Sequence, residues 1–294
     1  GYLWWYVDAL SDDGQHGLTI IAFVGSVFSP YYAWARRQGG GVADPEHFCA
    51  LNVALYGKGG KRWTMTERGR QHTSRSAQQF NIGPSSLHWD GQALTIDIDE
   101  INVPWPMRVR GRVTVRPEGL CRFVTPLDNA GRHRWGPIAP CSRIEVDMSS
   151  PGLSWRGHAY MDSNEGDEPV ENGFKDWDWA RAEMANGDTS VVYDVRPLTG
   201  PGRVVSQRFS PDGSHVAFEA PPRHALPSSG WRIARNMSSE SGHPAKIIST
   251  LEDTPFYVRS LVRNQWQSEQ VTAVHESLDI PRLVSWPVQF MLPW

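Results

Sequence analysis

Short apolar runs rich in Val, Ile, Thr, Tyr, Phe and Trp recur along the chain between polar, turn-forming clusters of Gly, Pro, Asn and Asp. Such runs read as strands, whose side chains alternate between two faces, rather than as helices. Three runs carry a tight turn at their centre. LHWDGQALTIDIDEI turns at Asp90-Gly91, DWDWARAEMANGDTSVVYDV at Asn186-Gly187, and SQRFSPDGSHVAFEA at Pro211-Asp212-Gly213. Each predicts a hairpin, because Gly accepts the backbone angles that tight turns demand. RVRGRVTV predicts a strand with Arg108, Arg110 and Arg112 on one face. Helical periodicity is confined to Tyr31–Arg37 and parts of Trp177–Met184. The expected class is all-β.

The same alternation sorts the segment WRGHAYMDSNEG. Arg156, His158, Tyr160 and Asp162 share one face, and Trp155, Gly157, Ala159 and Met161 the other. A phenol and a carboxylate therefore stand side by side in apolar surroundings. A polar strand face is most often solvated, so an outer sheet surface is the plain reading of these four positions.

A faint repeat divides the chain. Trp4-x-Tyr6 precedes Asp13-Gly14 and then LTIIAFV; Trp177-x-Trp179 precedes Asn186-Gly187 and then SVVYDV. Aromatic strand, tight turn and apolar strand follow at nearly the same spacing, which predicts two related β domains. The acidic, turn-rich segment SNEGDEPVENG, residues 163 to 173, marks the junction, with domains over 1–165 and 166–294. The expected architecture is a pair of antiparallel barrels or sandwiches.

Composition narrows the function. The 294 residues carry a net charge of -3, which argues against a nucleic-acid binder. Cys49, Cys121 and Cys141 lack the spacing of a zinc or redox motif, and so few cysteines fit a reducing compartment. The longest apolar run, Gly17 to Phe28, falls short of the roughly 20 residues a membrane helix needs. The chain opens directly on a strand at Tyr2 without an initiator Met, as if sequence preceded it. Fourteen tryptophans are unusual. They fit aromatic cores or a pocket for a long apolar ligand.

Nucleotide and metal motifs are missing: GGG at 39–41 and GKGG at 57–60 are not phosphate-binding loops, the ten histidines are scattered, and no G-x-S-x-G occurs. Any chemistry is therefore expected to run without a cofactor. Two short motifs remain. Tyr160-x-Asp162 offers a phenol and an acid, and GRHRWGP puts His133 and Trp135 on one face with Arg132 and Arg134 on the other. Tyr6-x-Asp8 echoes the first motif but reads as a strand end entering the Asp12-Asp13-Gly14 turn. Glu165, Asp167, Glu168 and Glu171 read as a solvated acidic turn without a catalytic role.

GYLWWYVDALSDDG, FSPYYAWARRQG, WRGHAYMDSNEG and KDWDWARAEMANGDTSVVYDVRPL together resemble the bacterial carotenoid 1,2-hydratases, also called hydroxyneurosporene synthases. The similarity runs over nearly the whole chain. It implies two lipocalin-like (calycin-type) domains in tandem. It also implies addition of water across the terminal C1–C2 double bond of an acyclic carotenoid such as neurosporene or lycopene. The residues that match the family's His-x-Trp and Tyr-x-Asp pairs are His133 and Trp135, and Tyr160 and Asp162.

Such chemistry suits these residue types. A trisubstituted alkene is a very weak base, so its proton donor must be a strong acid that is still protonated at neutral pH. A carboxylic acid in a dry setting, here Asp162, meets both needs. The tertiary cation left at C1 needs an aromatic face, from Trp135 or Tyr160, worth about 2 kcal/mol when desolvated. His133 positions the water and accepts its proton, or else keeps Asp162 protonated. The implied partners are the carotenoid, water and membrane lipid, since a long hydrocarbon must be collected from a bilayer. A peripheral position on the cytoplasmic side follows, with FSPYYAWARR as one membrane-facing segment or, equally, a packed connection. The Arg108–Arg112 face is exposed, with anionic lipid as its sharper use. The rivals are a lipocalin-like lipid carrier, a related cyclase or isomerase, and, more remotely, a glycosidase with paired carboxylates.

Overall fold

A computed structural model describes residues 1–58 and 61–292. Gly59 and Gly60 of the GKGG segment lie outside the described residues. The protein is all-β. By its internal contacts it divides into one unit comprising Gly1–Thr125 and Arg134–Asp167, and another comprising Pro126–His133 and Glu168–Met291.

Twelve strands build the first sheet. They are β1 (Tyr2–Ser11), β2 (His16–Val24), β3 (Cys49–Gly57), β4 (Arg62–Arg68), β5 (Thr73–Arg75), β6 (Gln79–Ile82), β7 (Ser85–Trp89), β8 (Leu94–Ile101), β9 (Arg108–Pro117), β10 (Thr125–Pro126), β11 (His133–Ser150) and β12 (Leu153–Gly166). Their order is β4-β3-β2-β1-β12-β11-β9-β8-β7-β6-β5, with β10 beside β11. The first long strand therefore pairs with the last. The sheet curls until its edge strand β4 reaches the end of β8: Trp63 N at the start of β4 donates to Asn102 Oδ1 at 2.8 Å, and Val103 N donates to Trp63 O at 2.9 Å. The result is a nearly closed, barrel-like sheet.

Alternation decides which side chains fill it. Val7 and Ala9 of β1, Leu18 and Ile20 of β2, and Ala159 of β12 belong to one apolar core. The intervening residues Tyr6, Asp8, Tyr160 and Asp162 take the opposite face of the same strands and are buried as well. β1 is thus covered on both faces.

The second unit repeats the path with fewer strands: β13 (Phe174–Glu183), β14 (Thr189–Pro197), β15 (Arg203–Phe209), β16 (His215–Ala217), β17 (Arg223–Leu226), β18 (Arg235–Ser238), β19 (Lys246–Asp253), β20 (Tyr257–Trp266) and β21 (Glu269–Asp279). Its main sheet runs β16-β15-β14-β13-β21-β20-β19, again pairing first strand with last, and β17-β18 form a separate ribbon. β18 is tied to this sheet by polar contacts. Asp178 Oδ1 accepts from Asn236 N at 3.1 Å, and Trp266 Nε1 donates to Ser238 O at 2.8 Å. Asp178 also accepts from Ser277 Oγ and, at 2.6 Å, from Arg196.

All three expected hairpins form, at β7-β8, β13-β14 and β15-β16. The helical period around Trp177–Met184 gives way to strand β13, whose pairing on both edges outweighs local propensity. Tyr31–Arg37 is helical, within α1 (Pro30–Gln38), capped by Ser29 Oγ accepting from Tyr32 N at 2.9 Å. Arg108 and Arg112 are exposed as expected, but each pairs with a carboxylate of β8. Arg108 meets Asp99 at 2.6 Å and Arg112 meets Asp97 at 2.7 Å, so anionic lipid loses its motive there. The three cysteines are buried free thiols, and burial pushes Cys49 up to about 11.

Candidate functional site

Antiparallel pairing of β1 with β12 sets Trp4 opposite Asn164, Tyr6 opposite Asp162, and Asp8 opposite Tyr160. Partners directly opposite share a face. This face changes character along β12. Arg156 is exposed and His158 half-buried, whereas Tyr160, Asp162 and Asn164 are buried. The solvated surface is therefore only the outer end of the strip, and the carboxylate stands 3% exposed.

Two side chains converge on one oxygen of Asp162. Trp135 Nε1 donates to Oδ2 at 2.7 Å, and Tyr160 OH donates to the same atom at 2.8 Å. Trp135 comes from β11, the neighbour of β12, and Tyr160 lies two residues back along β12 itself. Both rings are fully buried. Phe123 meets the Trp135 ring edge-to-face at 6.0 Å, and Tyr6 meets Tyr160 at 6.4 Å. An indole is a donor only, so it fixes Oδ2 as an acceptor. The first unit thus brings Trp135, Tyr160 and Asp162 together.

His133, the first residue of β11, belongs to the second unit and is also fully buried. Its backbone N donates to Asp128 Oδ1 at 2.8 Å, and its O accepts from Leu127 N at 2.8 Å. The ring packs on Phe174 with centroids 4.8 Å apart. Nε2 stands 3.5 Å from Glu168 Oε1.

Two readings of the sequence need correction. Asp8 is not a strand end: it sits inside β1 with no exposed surface, and Thr19 and Tyr160 oppose it on either side. The acidic turn is not simply solvated, because it pairs with the arginines flanking His133. Arg134 binds Glu165 at 2.6 Å and Asp167 at 2.9 Å, and these bonds raise its pKa. Arg132 binds Glu168 at 2.8 Å. The only sequence signal for Asp8 was its spacing from Tyr6, and local pattern held none for Glu168.

Among the described residues no cluster of three or more His, Cys, Asp or Glu is arranged to hold a metal. No helix among them is long and apolar enough to cross a membrane.

The model of the carotenoid hydratase CrtC family matches residues 20–294. The chain belongs to that family. A hydratase is a hydro-lyase, so membership puts the chain among the lyases. The acyclic carotenoid 1,2-hydratase of Rubrivivax gelatinosus is 62% identical over 294 residues, covering 100% of this chain and 72% of that protein. That of Thiocapsa roseopersicina is 56% identical with the same coverage. Beyond the family, the likeness is one of fold. A crystal structure of a candidate AttH from Nitrosomonas europaea superposes with a TM-score of 0.66 at 12% identity, covering 95% of this chain and 92% of its own. Kievitone hydratase from Nectria haematococca superposes with a TM-score of 0.58 at 9% identity, covering 95% and 89%.

Proposed function

We propose that this chain hydrates the terminal C1–C2 double bond of an acyclic carotenoid, using no cofactor, with Asp162 as the acid. The family and the names of its relatives supply the substrate class. The observation that carries the mechanism is the pair of donors on Asp162 Oδ2 in a buried setting. A neutral carboxylic acid has one carbonyl oxygen with two lone pairs and one O–H. Trp135 and Tyr160 satisfy both lone pairs of Oδ2, which makes Oδ1 the oxygen that bears the acidic hydrogen.

The Oδ1 proton passes to C2 of the alkene, whose π electrons form the new C–H bond and leave a tertiary cation at C1. The Trp135 and Tyr160 rings stabilise that cation. Water attacks C1 through oxygen, and His133 accepts the proton the resulting oxonium loses. Reprotonation of Asp162 closes the cycle. In this reading the two domains, 1–165 and 166–294, are each lipocalin-like. The substrate reaches the protein from a membrane surface met by the α1 helix, whose Tyr31 and Trp34 are more than half exposed beside Arg36 and Arg37.

Asp162→Asn tests the assignment, because it keeps the shape and the acceptor oxygen but removes the acid. Lycopene hydration, followed by chromatography of the more polar product, should fall about 10²–10⁴-fold while near-ultraviolet dichroism is unchanged. Trp135→Phe should retain more activity than Trp135→Ala, since the ring face survives. A folded Asp162→Asn enzyme working at the wild-type rate refutes the mechanism. Bound lycopene with no product in the wild type identifies a carrier instead.

A further inference from the structure

The β17-β18 ribbon closes on the second unit without joining its main sheet. Among the described residues its two strands pair with each other and with no strand of that sheet. Side chains hold β18 instead, and Asn236 takes the largest share. Its N and Nδ2 donate to the two oxygens of Asp178, at 3.1 Å and 3.3 Å, and its O meets His275 Nε2 at 2.7 Å. A carbonyl only accepts, so Nε2 carries the hydrogen and Nδ1 is the basic nitrogen. His275 is 1% exposed, and its buried Nδ1 makes no hydrogen bond. A small pocket lies beside the ring, lined by Met237 and Ser238 of β18, Ala180 of β13 and Trp266 of β20. Ribbon and sheet are therefore incompletely packed next to an imidazole with one unsatisfied nitrogen.

Protonation at Nδ1 adds a buried charge and an N–H without an acceptor, and both are costly. Asp178 of β13 stands 3.8 Å from Nε2 and attracts the charge. Its oxygens are already engaged by Asn236, by Ser277 Oγ and by Arg196 of β14, which also holds Asp194. Arg235 of β18 opposes a second positive charge. β20 sets neutral Ser260 opposite the ring, while its Arg259 pairs with Glu276 on the other face of the sheet. Burial outweighs the attraction of Asp178 and holds the imidazole below its ordinary value. Water reaches Nδ1 at least cost by way of the ribbon, because lifting β18 breaks side-chain contacts and no strand ladder. We propose that His275 is an acid-released latch: when Nδ1 takes a proton, the β17-β18 ribbon lifts from the main sheet of the second unit and opens the pocket beside it. This device is independent of the hydration chemistry. A proton that binds the open form more tightly favours opening as pH falls below the ordinary imidazole value of about 6.5, and above that value the latch stays closed.

Amide hydrogen exchange of the full chain, followed by NMR and corrected for the intrinsic pH dependence of exchange, tests the latch. The probe is the Asn236 amide, which donates to Asp178. In the wild type its protection should fall about tenfold for each pH unit below about 6.5, while the β20-β21 ladder keeps its protection. His275→Gln, whose side-chain amide donates to Asn236 O but does not titrate, should hold Asn236 protection constant over the same range. ¹⁵N spectra of histidine-labelled wild type at neutral pH should show His275 Nε2 pyrrole-like and Nδ1 pyridine-like. Unchanged Asn236 protection in the wild type overturns the proposal. So does an equal fall in His275→Gln, or simultaneous loss from Asn236 and the β20-β21 ladder. Should His275→Gln not fold, the wild type decides alone: the Nδ1 signal and Asn236 protection must change together with pH, and Nδ1 titrating while Asn236 stays protected refutes the latch.

Discussion

Tyr160 and Trp135 reach the same oxygen of Asp162 by different routes, one along its own strand and one across from β11. Their contributions therefore separate. Tyr160→Phe keeps the ring to which the proposed mechanism assigns the cation and removes one of the two donors. Net hydrogen bonds of this kind are worth about 1 kcal/mol, and about 1.4 kcal/mol is tenfold in rate. The expected outcome is kcat lowered about fivefold and a melting temperature within a few degrees of wild type. Unchanged kcat would show that the phenol only packs. The Tyr-x-Asp and His-x-Trp pairs were legible as residues on common strand faces, because alternation alone assigns faces. Their burial was not. Arg156 and Asp162 share a face yet differ fully in exposure, and nothing in the period of two distinguishes one end of a strand from the other.

At the scale of elements, the pairing of β1 with β12 aligns the site. Gly157 of β12 lies opposite Ser11, and a Cβ there would stand 1.9 Å from the backbone oxygen of Leu10. Backbone cannot yield as a side-chain tip can. Gly157→Ala is expected to cost about 3 kcal/mol or more and to abolish hydration by displacing Tyr160 and Asp162 along the seam. Gly152→Ala, where a Cβ meets nothing within 4 Å, is the matched control and should melt as wild type does. Comparable melting curves for the two variants would exclude the seam as the site's frame. Hairpins were legible because Asp90-Gly91, Asn186-Gly187 and Pro211-Asp212-Gly213 encode their turns locally. The β1–β12 pairing was not, since its register is set between strands with ten others lying between them in the chain. The same distance hid Asp8 beside Tyr160 and Glu168 beside His133.

For the whole molecule, an oily substrate has to be delivered through water or from a lipid surface. α1 has a divided surface: Tyr32 is buried, donates from its OH to Gly1 O at 2.7 Å and carries Arg36 over its ring at 4.4 Å, while Tyr31 and Trp34 project into solvent. The packed reading thus describes one side of the helix, and the membrane contact proposed for this segment would use the other. Replacing Tyr31 and Trp34 together by Ala should weaken binding to vesicles containing anionic lipid about tenfold, from lost aromatic burial. Charge reversal of Arg36 and Arg37 should weaken it further and most at low salt. Vesicle binding that survives both changes removes α1 as the contact. The pairing of first strand with last carries a further consequence for biosynthesis. While the ribosome is still making the middle of the first unit, β1 has emerged but its partner has not. Trp135, Tyr160 and Asp162 have no common address until β12 is translated, so on the proposed mechanism a polypeptide terminated before β12 should be chemically inert however much of its sheet has formed.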